Sequence, residues 1–468
     1  MPTYLDAAVV RIQPYLARTP ELRLRRGASW LITRATSEEA VDAWIQDSGV
    51  RGVARNPEAG HADGVVTLTV PDGQAQAVAA RLVQHLREDI PAADLQASWA
   101  QAPSYLEFRR ARPQPGSTLL AVPPAADFPL TRTCPSCRVD PSAQADGMCA
   151  DCLARDASAG RRSTRPGPSR PAAQDAEPDA LGTERAVLDA VNQRTGRHLR
   201  PVRDMNDLAR LGETDSNRNH VATVALDGNG MGGFFAALAS QQDTGLKQRI
   251  SPEISAATRG ALVSAGASIV RDDDERLPVV PHVLGGDDVV VSVTADRAWP
   301  FTRAFLAGFS DALTAAAGRL SIPDDITRQL PSMSAGVVFA NASFPYARAA
   351  RLAEDALRQA KQDTGGARPA VAWLDVTVDG EQPPPWRRTL TQDELDGHSA
   401  DLAALAGISR SGRQALARLL GAGSEEEARA AGLVWARRNG QAAVTGLLNQ
   451  SAVTELRNLV ALTRWWRP

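Results

Sequence analysis

Val-Leu-Gly-Gly-Asp-Asp-Val-Val-Val-Ser-Val, residues 283–293, places two apolar β runs on either side of a Gly285-Gly286-Asp287-Asp288 turn. Glycine permits the tight reversal of a hairpin and lets a ligand approach the backbone closely. Two adjacent carboxylates at a hairpin tip repel each other, and Mg²⁺ or Mn²⁺, which prefer hard oxygen ligands, would relieve that repulsion. The turn therefore predicts a divalent-metal site, and a purely structural acidic turn is the alternative.

A second motif lies about 60 residues before the hairpin and strengthens the metal prediction. Residues 221–233 read as a strand that ends in Asp227, followed by a glycine-rich turn into a helix. Backbone N–H groups in such a turn, together with the helix N-terminus, can hold phosphates. The residues predicted to cradle phosphate are Gly228, Asn229, Gly230, Met231 and Gly232. Asp227, Asp287 and Asp288 together are the carboxylate set that two-metal nucleotidyl transfer requires.

Lys361 is a third candidate because lysine is rare in this chain. The sequence has only two lysines, Lys247 and Lys361, against 50 arginines. Lys361 ends an amphipathic helical stretch and is followed by Gly365 and Gly366, so its ammonium could reach a bound triphosphate. The alternative is a cation that interacts with the helix dipole, next to a glycine C-cap.

Four cysteines form two CxxC pairs separated by eleven residues. They are Cys134, Cys137, Cys149 and Cys152. Four thiolates suit tetrahedral Zn²⁺, and such a closed site leaves no open position for catalysis. We therefore expect a structural zinc site.

Composition excludes several classes of protein. The formal net charge of −2 excludes binding of nucleic acid by bulk charge alone, so any such contact must use a local patch. No apolar stretch is long enough for a membrane span, and the N-terminus lacks the pattern of a signal peptide. Clustered cysteines favour a reduced compartment, so we expect a cytoplasmic protein without membrane contact. The sequence contains neither a Walker-type Gly-Lys-Ser/Thr loop nor a Gly-x-Ser-x-Gly elbow.

Periodicity predicts an α+β protein with two α/β units. In the first, a helix over 37–45, a period-two strand over 64–70 and a helix over 74–88 indicate a ferredoxin-like unit. In the second, strands are predicted over 220–226, 334–340 and 371–378, and helices over 252–266, 299–317 and 345–362. The predicted division is a first α/β unit (1–115), a zinc-binding module (116–157), a disordered linker (158–180), a helical connector (181–215), a second α/β unit (216–380) and a C-terminal helical domain (388–468).

These motifs resemble a known family. Three segments resemble the second palm domain of the large subunit of type III CRISPR effector complexes. They are the Asp227-Gly-Asn-Gly-Met-Gly turn, the Gly-Gly-Asp-Asp hairpin, and Ser334-Ala-Gly-Val-Val-Phe-Ala followed by Phe344-Pro-Tyr. Residues 8–32 are similar to the start of the first palm in the Cmr-type (III-B) branch. The resemblance implies two ferredoxin-like palms packed together, one degenerate and one carrying the Gly-Gly-Asp-Asp turn, each with helices on one face of its sheet.

The resemblance also implies a function. In that family the second palm binds ATP with a divalent metal and makes cyclic oligoadenylate when the complex, with its other subunits and guide RNA, engages target RNA. Carried over, Asp227 and Asp287 would ligate metal, and Asp288 would be a further ligand or base. The nucleotide would lie near the palm–palm interface. The residues expected to contact it are the 228–232 turn, Gly285, Gly286, Ser334 and Lys361.

Two departures from the family pattern keep alternatives open. The family often has Asp-Gly-Asp where this chain has Asn229, and a neutral amide is a poorer Mg²⁺ ligand. The family often carries an HD nuclease domain before the first palm, whereas this chain starts at the palm, so we expect no DNase activity of that kind. The alternatives are a stand-alone nucleotide cyclase of the GGDEF type, with GTP as a possible substrate, and a scaffold subunit whose palm has lost activity.

Overall fold

The structure is a computed structural model. It describes residues 1–59, 63–111, 116–123, 132–142, 147–159, 182–212, 219–239 and 246–467. Apart from its first two residues, the predicted linker at 158–180 lies outside the described residues. Over the part that is described, no helix has both the length and the apolar character needed to cross a membrane.

The first unit is a five-stranded antiparallel sheet. Its strands are β1 (Thr3–Val10), β2 (Ala54–Arg55), β3 (Val65–Val70), β4 (Asp94–Gln101) and β5 (Thr118–Ala121). Its helices are α1 (Ile12–Ala17), α2 (Leu22–Ala35), α3 (Glu38–Ser48), α4 (Ala75–Asp89) and α5 (Tyr105–Arg110). The order β2-β3-β1-β4-β5 contains the ferredoxin-like arrangement of two βαβ halves. Alternation in β3 turns Val66 and Leu68 toward Val78 and Leu82 of α4, which forms one core.

Three short helices connect the two units. They are α6 (Ala150–Ser158), α7 (Gly182–Thr195) and α8 (Met205–Arg210). Helix α6 packs so closely on α2 that a Cβ at Gly27 would collide with the Arg155 carbonyl. Helix α7 is held to α2 by a buried ion pair between Arg26 and Glu184. Helices α6 and α7 therefore pack firmly against α2 of the first unit.

The second unit is a six-stranded sheet in the order β11-β10-β9-β6-β8-β7. Its strands are β6 (His220–Asn229), β7 (Val279–Gly285), β8 (Asp288–Thr294), β9 (Ser332–Asn341), β10 (Ala370–Asp375) and β11 (Leu390–Thr391). Its helices are α9 (Met231–Ala239), α10 (Leu246–Ser268), α11 (Ala298–Arg319), α12 (Asp324–Thr327), α13 (Tyr346–Thr364) and α14 (Val376–Asp379), with a 3₁₀ turn at Ala295–Arg297. Strands β6 to β9 repeat the ferredoxin-like order, so the predicted α+β fold with two such units is confirmed.

Two details of the second unit differ from the prediction. Helices pack on both faces of the sheet: Val224 contributes to the core that contains α10 and α11, whereas Ala225 contributes to the core formed with α13. The reason is that β9, α13 and β10 form a βαβ unit with a parallel strand pair, which adds a helix on the second face. Strand β10 is also shorter than predicted, because residues 376–379 turn into α14.

The C-terminal helices share a core with the second unit. They are α15 (Gln392–Gly397), α16 (Ser399–Ala406), α17 (Arg410–Leu419), α18 (Glu425–Arg438), α19 (Ala442–Gln450) and α20 (Val453–Leu462). The tail that follows packs on the sheet: Trp465 stacks on Phe339 with ring centroids 5.4 Å apart and donates a 2.8 Å hydrogen bond to Asp375. The core of the helical region is therefore continuous with that of the second unit.

The two units meet at the β7–β8 hairpin. Val283 of β7 packs against the core of the first unit. The Arg25 guanidinium of α2 lies 3.9 Å from the ring centroid of Tyr346 at the start of α13. This contact brings the first unit beside the acidic turn.

Candidate functional site

The acidic turn and the end of strand β6 come together at one end of the second sheet. Strand β6 is central and pairs with β8, with Leu226 opposite Val289. Asp227 therefore follows the last position of β6 that pairs with β8, although it still pairs with Ser334 of β9, and Asp288 opens β8. Gly286 has a φ of +60°, a left-handed conformation that glycine adopts without strain and that closes the hairpin.

Lys361 contacts the first of these carboxylates directly. It lies in the last turn of α13, and its ammonium forms an ion pair with Asp227. The same Nζ donates a 2.7 Å hydrogen bond to the Gly228 carbonyl. Lys361 therefore lies within the predicted site, where it neutralises one carboxylate.

The other two carboxylates have raised pKa values. Burial and the neighbouring Asp227 raise the pKa of Asp287. Burial, Asp227 and Asp287 raise the pKa of Asp288 to about 7, and Glu354 of α13 adds to that rise. Asp288 keeps part of its surface open to solvent although protein surrounds it. A cation bound here would relieve this repulsion.

The donor set fits Mg²⁺ or Mn²⁺ in charge and in oxygen chemistry. Among the described residues, the three aspartates do not form a group of ligand atoms all within 4.8 Å of one another. Asp227, Asp287 and Asp288 are the residues that would hold such a metal.

The glycine-rich turn starts later than predicted. Strand β6 continues through Asn229, so Gly228 belongs to the strand, and α9 begins at Met231. A Cβ at Gly228 would lie 2.5 Å from Asp287 Oδ2, so only glycine allows that carboxylate to approach the strand. By contrast, a Cβ at Gly230, Gly232, Gly285 or Gly286 would meet no atom within 4 Å. The rim around the aspartates is therefore open.

Asn229 and Ser334 point into the sheet. The Asn229 amide donates to Ser332 Oγ at 3.0 Å, Ser334 Oγ at 2.9 Å and the Arg368 carbonyl at 3.3 Å. Ser334 is fully buried and also accepts a hydrogen bond from the Ala370 N–H. These side chains join β6, β9 and the start of β10. The structure therefore does not bring Ser334 to the open side of the site. The Asn229 side chain links neighbouring strands through its hydrogen bonds.

The sequence analysis did not select Glu354, whose negative charge helps to raise the pKa of Asp288. Glu354 precedes Lys361 by seven residues, or two helical turns, so both lie on the face of α13 that meets the aspartates. That spacing could have identified Glu354.

A cavity of about 280 Å³ borders the Gly-Gly-Asp-Asp turn and is lined by residues from both units, including Ile12, Thr33, Asp63 and Asp287.

The four cysteines come together as predicted. Their sulfur atoms all lie within 4.8 Å of one another, and all four residues are buried. Cys149 caps the N-terminus of α6 by accepting a hydrogen bond from the Cys152 N–H. The set packs against Leu24 of α2. Four thiolates in this arrangement fit Zn²⁺, which would tie α6 to the preceding loop and to the first unit.

Comparison with known proteins agrees with this geometry. Residues 220–372, the segment that carries the aspartates, match the family model for Cas10/Cmr2, second palm domain. No curated protein matches the sequence significantly.

Solved structures of similar fold cover nearly the whole chain. A Csm1–Csm4 cassette in complex with cA3 has a TM-score of 0.55 at 11% identity over 100% of this chain and 70% of that one. Csm1 from T. onnurineus has a TM-score of 0.55 at 12% identity over 100% and 70%. A Csm1–Csm4 cassette with pppApApA has a TM-score of 0.55 at 13% identity over 99% and 69%. The chain therefore has the fold of these proteins beyond the matched palm.

Proposed function

We propose that this chain is the large subunit of a type III CRISPR effector complex, and that its second palm joins ATP molecules into cyclic oligoadenylate with Mg²⁺ or Mn²⁺. The observation that carries the proposal is that Asp227, Asp287 and Asp288 lie together at one open end of a sheet, within the segment that matches the second palm domain of Cas10/Cmr2. Solved structures with this fold hold cA3 and pppApApA, a cyclic and a linear form of the same adenylate polymer. That pair of ligands supports a polymerising reaction.

In the proposed reaction, the 3′-hydroxyl of one ATP attacks the α-phosphate of another, and pyrophosphate leaves. The carboxylates of Asp227, Asp287 and Asp288 would hold the divalent metal, which lowers the pKa of the hydroxyl and neutralises the triphosphate. Asp288 would be either a further metal ligand or the base that takes the proton of the attacking hydroxyl. The open glycine rim leaves room for the phosphates beside the aspartates.

Lys361 has a positioning role in this proposal. Its ammonium holds Asp227 and the Gly228 carbonyl, which fixes the end of β6. On binding of a metal and a triphosphate, the ammonium would exchange Asp227 for a phosphate oxygen. The Lys361→Met variant would leave Asp227 unpaired, and we expect weaker nucleotide binding with the fold retained.

The remaining assignments belong to the same proposal. The chain would assemble with other effector subunits, guide RNA and target RNA, and its Zn²⁺ site would be structural. The similar solved structures include Csm1 with Csm4 and their subcomplex of the type III-A complex, whereas residues 8–32 resemble the III-B branch. The proposed class of effector complex is type III, and assignment to the III-B branch stays a prediction.

The proposal is tested by purifying the chain from its native cells and analysing what accompanies it. We expect smaller protein subunits and a guide RNA, and nucleotide turnover that prefers ATP over GTP and rises when complementary target RNA is added. A chain that purifies alone and turns over GTP would favour the stand-alone cyclase. An assembled complex without turnover of either nucleotide would favour the scaffold, an alternative that the neutral Asn229 supports.

A further inference from the structure

A second cavity, of about 500 Å³, lies between the second palm and the C-terminal helices. Its palm wall comes from β10, α14 and the segment that follows, including Asp375, Asp379 and Trp386. Its helical wall comes from α17, α20 and the tail. It shares no lining residue with the cavity beside the aspartates. Its volume is typical of sites that bind small molecules, which span roughly 300–1,000 Å³.

The charge of this cavity is strongly unbalanced. Two acidic residues line it, and both already have partners: Arg464 pairs with Asp375 at 3.0 Å, and Arg387 pairs with Asp379. The lining arginines are Arg387, Arg410, Arg413, Arg457, Arg464 and Arg467. Within the described part of the chain, Arg410, Arg413 and Arg457 have no acidic side chain within ion-pair distance. An anion is therefore the missing counter-charge.

Arg387 is a buried cation in the wall of this cavity. Its side chain is only 5% exposed, and its Nε and Nη1 atoms are buried without a hydrogen-bond partner. A buried guanidinium with unused donors is costly unless something accepts those hydrogen bonds. The Trp373 ring lies 3.4 Å from the Arg387 guanidinium and holds its plane in place. Arg387 therefore adds a fixed positive charge to the cavity wall, while its Nε and Nη1 atoms are covered by protein.

The other cationic groups are also held in place by protein contacts. Arg413 donates from Nη1 to the carbonyls of Ala406 and Ile408, at 2.5 and 2.7 Å. Arg457 lies 4.3 Å from the ring centroid of Trp386. The nearby Arg410 and Arg467 contribute, after burial, to lowering the pKa of Arg413, as expected for cations that repel one another. Planar guanidinium groups in such an arrangement match phosphate oxygens.

We infer that this cavity binds a small ligand with two or more phosphates, of the size of a nucleoside di- or triphosphate. The surplus of guanidinium groups calls for more than one negative charge, and the bounded volume favours a small molecule over a polymer. A ligand here would contact both walls and would link the palm to the C-terminal helices. The site is separate from the proposed reaction at the aspartates.

Isothermal titration of the full-length chain with inorganic tripolyphosphate tests this inference. EDTA is included because, without a divalent metal, the aspartate site repels a polyanion. The test variant is Arg410→Ala combined with Arg457→Ala. The matched control is Arg418→Ala, an exposed arginine on the same helix α17 that does not line the cavity. Thermal unfolding with and without tripolyphosphate provides a second readout, since a ligand that binds only the folded state raises Tm.

We expect binding to the wild type and the control, with affinity at least about tenfold weaker in the double variant because two charge-assisted contacts are lost. The rise in Tm with tripolyphosphate should disappear in the same variant. ADP should compete with tripolyphosphate. Equal affinity in the double variant and the control would overturn the inference. Binding of a single-stranded RNA oligonucleotide without any binding of tripolyphosphate or ADP would also overturn it.

Discussion

Replacement of Asp288 by asparagine should stabilise the protein, and the gain should grow with pH. In the folded chain, burial and the neighbouring Asp227 and Asp287 raise the pKa of Asp288 from 3.8 to about 7. The folded state therefore holds the proton more tightly than the unfolded chain does. Wild-type stability should fall as the pH rises from about 4 to about 7 and then level off. The asparagine side chain carries no charge, so the Asp288→Asn variant escapes this loss.

The size of the effect follows from the pKa shift and from exposure. Three pKa units correspond to about 4 kcal/mol of differential interaction. Because Asp288 keeps part of its surface in water, screening should reduce the gain to about 1–2 kcal/mol at pH 8. At pH 5, where the folded carboxyl is still protonated, the gain should be less than about half of that. For a unit of this size, the gain at pH 8 corresponds to a rise in Tm of about 2–8 °C.

The assay is differential scanning calorimetry of the wild type and the Asp288→Asn variant between pH 5 and pH 8.5 in the presence of EDTA. Asp311→Asn, which removes an exposed carboxylate from α11, is the control and should give a small, pH-independent change. Added Mg²⁺ should stabilise the wild type more than Asp288→Asn. A Tm difference that stays constant from pH 5 to pH 8.5, or a destabilised Asp288→Asn variant, would refute the reasoning.

Three further predictions follow from local geometry. Gly228→Ala should lower nucleotide turnover at least about tenfold, because its Cβ would displace a carboxylate of the site. The control Gly232→Ala should stay close to wild type, since its Cβ meets no atom within 4 Å. Equal activity of the two variants would contradict this prediction. Asn229→Asp should lower the free energy of unfolding in urea by about 1–3 kcal/mol, because a carboxylate oxygen would face the Arg368 carbonyl. Unchanged stability together with higher Mg²⁺ affinity would contradict the inward orientation of the Asn229 side chain. Metal analysis should find one zinc per chain, and Cys137→Ser should lose the ion and lower Tm; a purified chain without zinc would disprove the metal assignment.

The sequence predicted the repeated fold well because its signals are local. Period-two alternation over 64–70 and the apolar spacing in α4 each identify one element, and the two acidic motifs mark the ends of strands. The parallel pair of β9 and β10 was missed because β10 is buried along its length, and such a run has no alternation to set its partner. Likewise, the last three residues of the predicted 371–378 strand form α14, although their apolar character favours a strand.

The roles of the three acids stay a prediction, and the structure shows contacts around them that the sequence did not predict. Asp227, Asp287 and Asp288 stand out by residue type, and the structure brings the ends of their strands together. The inward orientation of Asn229 depends on how far β6 continues, which glycine-rich sequence does not reveal. The ion pair between Lys361 and Asp227 joins residues 134 apart in sequence, so only the tertiary fold shows it.

The most direct test of the central claim is mass spectrometry of the products that the assembled complex makes from ATP with Mg²⁺ or Mn²⁺ in the presence of target RNA. We predict cyclic oligoadenylate from the wild type and from Asp311→Ala. The product should be absent when Asp287→Ala and Asp288→Ala are combined. Wild-type complex that makes no oligoadenylate, or the same yield from the double variant, would contradict the account.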